Sequence, residues 1–205
     1  MTPGRAVERV AVVTGAARGI GAAIARSLAS KGWHLVLVDR CADDPVLDYP
    51  LSTPADLDAV VSACGGDERA HPVIGDVRDQ AALDAAVAAA AQQFGRLDAA
   101  VAAAGCIGGG HPAWENRDDL WAAMLGVNLE GVWRLARAAV PALLERPPPR
   151  HGRFVAVSSS GGTVGLPMLA AYVAAKHGVH GLVRSLAAEL APHGITANAV
   201  APGST

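Results

Sequence analysis

Neither sign of charge dominates this chain. Seventeen lysines and arginines stand against nineteen aspartates and glutamates over 205 residues, a net of −2. Neither nucleic acid nor an anionic membrane surface is therefore the expected partner, and a small neutral organic ligand fits better. Cysteine is scarce as well: Cys41, Cys64 and Cys106 are odd in number and lack paired CxxC spacing. That argues against a disulfide framework and against a zinc site, and leaves idle or buried thiols in a reducing cytoplasm as the expectation. Residues 1–10 hold no apolar run of leader length, and charges such as Asp84 break the longer apolar stretches before they could span a bilayer. No repeat and no shift of composition divides the chain, so a single domain over residues 1–205 is expected.

What the chain does contain is alternation. Short β-branched runs at 9–14, 33–39, 72–76, 98–102, 153–158 and 195–200 are nearly continuous in apolar residues, as strands covered on both faces require. Between them, Ala-rich segments of helical period at 19–31, 54–64, 80–94, 117–145 and 171–193 complete successive βαβ units around a parallel sheet, an α/β architecture. Pro141 should bend or end the fourth helix, and Pro147 to Pro149 close it. About thirty residues, 40–71, join the second and third strands, where a loop plus one helix needs only about twenty. The aperiodic part, 41–54, with Asp43, Asp44, Pro45, Pro50 and Pro54, reads either as an ordered flap at the carboxyl edge of the sheet or as a disordered insertion. The chain stops at Thr205 after its sixth strand, which would leave one sheet edge bare.

The first strand runs into Thr14-Gly15-Ala16-Ala17-Arg18-Gly19-Ile20-Gly21, which opens the first helix. Glycines there let the backbone turn sharply and approach a pyrophosphate, whose charge meets free N–H groups and the positive end of the helix dipole. Asp39 ends the second strand, 24 residues after Gly15, where a carboxylate can bond both ribose hydroxyls of NAD and repel the 2′-phosphate of NADP. Arg18 and Arg40 pull the other way, since either guanidinium could grip that phosphate. Asp76, in Gly75-Asp76-Val77, either accepts a bond from the adenine amino group or caps the turn after the third strand.

Tyr172 and Lys176 are four apart on a helix and emerge on one face, where the ammonium favours the phenolate that exchanges a proton with an alcohol. Alone, that pair is a common accident of spacing. Upstream, however, the fifth strand ends in Ser158-Ser159-Ser160-Gly161-Gly162, which brings hydroxyls to the same carboxyl edge.

Together these residues resemble the short-chain dehydrogenase/reductase family over essentially the whole chain. The resemblance implies a Rossmann doubly wound parallel sheet of order 3-2-1-4-5-6 in three αβα layers, and hydride transfer between NAD and a secondary alcohol or ketone. It implies Tyr172 as general acid/base, with Lys176 tuning it and binding the nicotinamide ribose. Ser159, thirteen before the tyrosine, would polarise the substrate oxygen, and Asn128 would hold a water of the proton relay. Gly15, Arg18, Gly19, Ile20, Gly21, Asp39, Arg40, Asp76 and Val77 are implied at the dinucleotide, with Ala103, Ala104, Gly105, Pro202 and Gly203 beside its nicotinamide end. A homo-oligomer, dimer or tetramer, in the cytoplasm is implied too.

Three departures stand out. Ala102-Ala103-Ala104-Gly105 replaces the usual Asn-Asn-Ala-Gly, so asparagine bonds that brace the sheet are gone. The long segment after Asp39, with Asp39-Arg40-Cys41-Ala42-Asp43 and Tyr49-Pro50-Leu51, resembles the carveol-dehydrogenase-like branch associated with mycofactocin. In that branch the insertion folds over a retained NAD, whose electrons leave through mycofactocin as an external carrier. The family also continues about fifty residues further, with a substrate lid and a seventh strand, so Thr205 is expected to be either a truncation or the last ordered residue. Two rival readings are an NADPH-dependent ketoreductase and a protein that only binds NAD. His177 and His180, three apart beside Lys176, have no third ligand near in sequence, so no metal is expected. Trp114, Trp121 and Trp133 should pack in the core or in a subunit interface, with a substrate wall as a lesser role for Trp114. Gly108 to Gly110 read most simply as a flexible loop, and whether it borders the substrate stays open.

Overall fold

The computed structural model describes residues 9–203. The expectation for a leader within residues 1–10 thus falls largely outside the described residues, and Thr205 wholly so. Six strands form one parallel sheet: β1 (Val10–Thr14), β2 (His34–Asp39), β3 (Ala70–Ile74), β4 (Ala99–Ala102), β5 (Arg153–Val157) and β6 (Thr196–Val200), in the order β3-β2-β1-β4-β5-β6. Period-2 alternation assigns each apolar residue to a layer. Val10, Val12, Val36 and Val38 face one core, whereas Ala11, Val13, Leu35 and Leu37 face the other. α1 (Gly19–Ser30) and α2 (Pro54–Ala63) cover the second face. The first is covered by α3 (Gln80–Phe94), α5 (Gly131–Leu144) and α6 (Ala170–Leu190). At about 1.5–3 kcal/mol for each fully buried Val or Leu, these two layers supply the main favourable energy of the fold.

Local signals set the helix ends. Thr53 and Asp56 cap α2 reciprocally, with Pro54 at the first turn. The Asp79 carboxylate accepts from Ala81 N–H at the start of α3, and Gly95, at φ 75°, ends it.

Three expectations need correction. The third strand lies two residues earlier than 72–76, so Asp76 stands beyond its end, and Pro72 sits in a strand that pairs only with β2, where a missing N–H is tolerated. Pro141 does not end the fourth helix, which runs on to Leu144. The expected single helix 117–145 is instead α4 (Asp118–Leu125), a wide π turn over Gly126–Glu130, then α5. The 41–53 segment is ordered without regular structure, entered through Cys41 in the left-handed region at φ 53°.

Strand order reverses between β1 and β4, and the loops at their carboxyl ends diverge there, which opens a crevice.

Candidate active site

The dinucleotide end of the crevice is shaped by what a methyl group would strike. A Cβ on Gly15 (φ 67°) would lie 2.6 Å from Ala104 Cα, so the turn after β1 rests directly on the turn after β4. On Gly21 it would run into the Gly15 carbonyl, whereas on Gly19 it would meet nothing within 4 Å and would stand in the crevice itself. Arg18 precedes α1 in extended conformation with no side-chain cap, and the first helical bond is Ala22 N–H to Arg18 O at 3.3 Å. The N–H groups of Gly19, Ile20 and Gly21 come before that bond and carry the partial positive charge of the helix. A backbone cradle with unclaimed donors beside open space suits a pyrophosphate.

Asp39, at the end of β2, is 8% exposed. Its Oδ2 accepts from Ala17 N–H at 3.0 Å, and its Oδ1 from Cys41 N–H at 3.2 Å and the Ser52 hydroxyl at 2.5 Å. Arg18 Nη1 donates to Pro50 O at 2.9 Å. Arg40 Nη1 pairs with Asp44 Oδ2 at 2.6 Å, while its Nε lies 3.4 Å from Asp76 Oδ2. Arg78 Nη2 reaches the same two carboxylates, at 2.9 Å and 2.6 Å. Between two guanidiniums, and accepting from Val46 N–H, the buried Asp44 is held below the usual carboxylate range even though burial alone would raise it. Asp76 also accepts from Arg78 N–H at 2.9 Å, a bond that caps the turn after β3. Val77 sends its side chain into the core against Gly131.

The same segment straps the crevice. Tyr49 Oη donates to Ile107 O and accepts from Ile107 N–H, both at 3.0 Å. Leu47 and Val46 pack with Leu120, Met124, Cys106 and Tyr172. Gly108 and Gly109 are not a loose loop: a Cβ on Gly108 would lie 2.7 Å from Leu120 Cδ1, and one on Gly109 would run into the Met168 carbonyl.

At the reaction end, Ser159 follows β5 and accepts from Gly161 N–H at 3.1 Å. A Cβ on Gly161 would lie 3.4 Å from Tyr172 Cε1 and 3.5 Å from Ser159 Oγ, so hydroxyl and phenol ring flank one small space. Lys176 Nζ sits 5.7 Å from the centre of the Tyr172 ring and donates to Val157 O at 3.0 Å. Burial leaves that amine 4% exposed and pulls its pKa down from 10.5 to about 8. Pro202 O accepts from Ser160 N–H at 2.8 Å, which sets Pro202-Gly203 alongside the serine run.

Asn128 projects from the wide π turn and is fully buried. Its Nδ2 donates to Cys106 O at 2.9 Å and Met124 O at 3.0 Å, and its Oδ1 accepts from Cys106 N–H at 3.2 Å. Thr14 Oγ1 accepts from Ala103 and Ala104 N–H at 3.2 and 3.3 Å. The brace expected to be lost at Ala102-Ala103-Ala104-Gly105 is thus supplied by Thr14 from one side and Asn128 from the other. Ala103, Ala104 and Gly105 line the path between the glycine turn and Lys176: a Cβ on Gly105 would lie 3.0 Å from Asn128 Oδ1 and 3.6 Å from Lys176 Nζ.

Sequence reasoning missed Asp44, Ser52 and Arg78, whose partners are set by the course of an aperiodic segment. It also missed Thr14, whose place in a glycine motif was signal enough. The tryptophans are not core residues, since Trp114 is 84%, Trp121 39% and Trp133 44% exposed. Burial pushes Cys41 and Cys106 up to about 11, so both thiols are protonated and inert near neutral pH. Among the described residues no three His, Cys, Asp or Glu side chains gather as a metal site, and no helix is long and apolar enough to cross a membrane.

The short chain dehydrogenase family model matches residues 9–205. The (-)-trans-carveol dehydrogenase of Rhodococcus erythropolis is 41% identical over 199 residues, 97% of this chain and 71% of the relative. Among solved structures, carveol dehydrogenase from Mycobacterium avium in complex with NAD superposes with TM-score 0.89 at 42% identity, covering 98% of this chain and 72% of that one. A short chain dehydrogenase from Mycobacterium paratuberculosis bound to NAD gives TM-score 0.88 at 33% identity over 96% of this chain and 72% of the other. The chain belongs to the short-chain dehydrogenase family.

Proposed function

We propose that this protein is an NAD-dependent alcohol dehydrogenase or ketone reductase acting on a secondary alcohol or its ketone. The observation that carries the reading is the convergence of Ser159 Oγ, the Tyr172 ring and Lys176 Nζ at the carboxyl edge of the sheet, beside a glycine cradle. NAD is the cofactor because Asp39 ends β2 facing the cradle, and because two similar structures carry NAD. Gly15, Arg18, Gly19, Ile20 and Gly21 would hold its pyrophosphate, Asp39 and Arg40 border its adenosine ribose, and Asp76 and Val77 its adenine. Ala103 to Gly105, Tyr172, Lys176 and the Pro202-Gly203 turn would hold the nicotinamide end. When bound, the nicotinamide ring supplies the acceptor or donor of hydride.

The chain's own residues move the proton. In the oxidising direction the Tyr172 phenolate takes the proton of the substrate hydroxyl, while the Ser159 hydroxyl donates a hydrogen bond to the same oxygen. Lys176, whose Nζ lies 5.7 Å from the centre of the Tyr172 ring, would grip the ribose. Asn128 fixes the Cys106 backbone beside Lys176 and is our candidate for holding the relay water. Positioning and fixed dipoles supply the rate.

The finer reading rests on the strap. The bonds of Tyr49 to Ile107 across the crevice support the reading that the 41–53 segment retains NAD, which would then be reoxidised by mycofactocin rather than released. The exposed Trp121 and Trp133 on α4 and α5 favour a homo-oligomer, and the even charge balance favours a cytoplasmic protein without nucleic-acid or membrane partners. Replacing Tyr172 by Phe should lower kcat at least 1,000-fold on a panel of secondary alcohols and leave NAD affinity within about threefold. Appreciable turnover by Tyr172→Phe refutes the assignment. Unchanged NAD binding without any alcohol or ketone turnover in the parent protein would favour the non-catalytic NAD-binding reading.

A further inference from the structure

Three guanidiniums near the ribose end of the cradle are engaged by the inserted segment, and Arg78 is also gripped by Asp76 through its Nε and Nη2. Arg18 is tied to the Pro50 carbonyl, and Arg40 and Arg78 both end on Asp44. Two arginines and two aspartates, Arg40, Arg78, Asp44 and Asp76, cancel in charge. Asp44 is the buried member, its side chain 4% exposed. The same segment closes on the carboxylate that faces the cradle: the Ser52 hydroxyl, 6% exposed, bonds Asp39 Oδ1 at 2.5 Å, opposite the Ala17 N–H on Oδ2. Asp39 is thus held from three sides, and the arginines are engaged away from it.

We propose that the 41–53 segment sets cofactor selectivity, with Asp44 and Ser52 as its specificity-determining residues. Asp44 withholds Arg40 and Arg78 from a 2′-phosphate, and Ser52 holds Asp39 against one. This inference rests on the NAD reading above and goes beyond it. An acidic residue at the end of the second strand is ordinarily sufficient to select NAD, and a free arginine beside it is what accommodates NADP. This chain has both, and the choice falls to whichever group is free to meet the phosphate. Without Asp44, the ion cluster keeps two guanidiniums and one carboxylate, a net +1 facing a dianionic phosphate. Arginine is well suited to that ligand because its planar fork binds phosphate oxygens in pairs.

The test is equilibrium binding of NAD and NADP, read by calorimetry on charcoal-treated protein, with mass spectrometry of any nucleotide that co-purifies. The parent protein should prefer NAD at least 100-fold. Asp44→Asn and Asp44→Ala should tighten NADP at least tenfold and change NAD by less than threefold, and the gain should shrink in 0.5 M salt and vanish when Arg40→Met is added. Ser52→Ala should narrow the preference in the same direction. The Ser52→Ala arm stands even if the Asp44 variants fail to fold: a folded Ser52→Ala with the parental preference for NAD over NADP overturns the proposal. A folded Asp44→Asn with parental NADP affinity also overturns it. A parent protein that binds neither nucleotide instead removes the NAD reading on which it rests.

Discussion

Relative to a methionine in its place, Lys176 should gain this protein stability as pH rises from neutral to alkaline. The amine is almost wholly buried, and its pKa falls from 10.5 to about 8 because burial penalises the ammonium. Below the folded value the lysine is protonated in both states and the full penalty acts. Above 10.5 it is neutral in both and the penalty is gone. At about 1.4 kcal/mol per pH unit, the gap amounts to about 3 kcal/mol at pH 7. Integrated over the titration, roughly 2 kcal/mol of it is relieved between pH 7 and 9.5. Lys176→Met removes this dependence and also leaves Val157 O without its donor, a loss of about 1–3 kcal/mol that does not vary with pH. The absolute stability of the variant therefore mixes two terms, whereas the pH dependence of the difference isolates one. Urea denaturation of both proteins, freed of nucleotide, from pH 7 to 9.5 should show the parent gaining about 2 kcal/mol on the variant, equivalent to about 4–8 °C in Tm for a chain of this size. A difference flat to within about 0.5 kcal/mol across that range would mean that the amine is not desolvated as the structure places it.

Gly15→Ala should cost about 2–5 kcal/mol, from the left-handed backbone plus a methyl 2.6 Å from Ala104 Cα, and a urea midpoint within about 1 kcal/mol of the parent would contradict that close approach. Tyr49→Phe deletes both bonds to Ile107, so limited proteolysis within 41–53 should quicken several-fold and NAD should dissociate faster, with overall stability lowered by about 1–2 kcal/mol; unchanged cleavage would show that the strap is held elsewhere. Thr14→Val and Asn128→Ala remove the two braces of the turn after β4, and their double-mutant cycle should give a coupling of about 0.5–3 kcal/mol, since both act on the 103–106 backbone. Strict additivity would separate them.

The parts of the site that sequence reveals are those whose partners lie nearby along the chain or follow from a period. The glycine turn is a local necessity, because Gly15 and Gly21 sit where no side chain fits. Tyr172 and Lys176 share a face by helical spacing, and Ser159 follows a strand whose end is marked by loss of apolar residues. Strand identity follows from the alternation of apolar runs with Ala-rich segments, whereas sheet order came with the family resemblance, and strand ends shift by two residues at most, as in β3.

What stayed hidden is held by contacts distant in sequence. Tyr49 meets Ile107 across 58 positions, and Arg18 meets Pro50 across 32, so no window of sequence contains both partners. Asp44 looked like one of several acidic loop residues until the chain turned at Cys41 and brought it between two guanidiniums. The wide turn at Gly126–Glu130 has no composition of its own either. A π turn is a poor local solution, and what favours it here is tertiary: it places Asn128, fully buried, where all its amide hydrogens and one oxygen lone pair find backbone partners on Cys106 and Met124. The wide turn delivers the Asn128 amide to the backbone of the turn after β4, opposite the Thr14 hydroxyl, so two distant segments brace that turn from either side. A reading residue by residue could place the chemistry of the crevice but not the pieces that hold it in position.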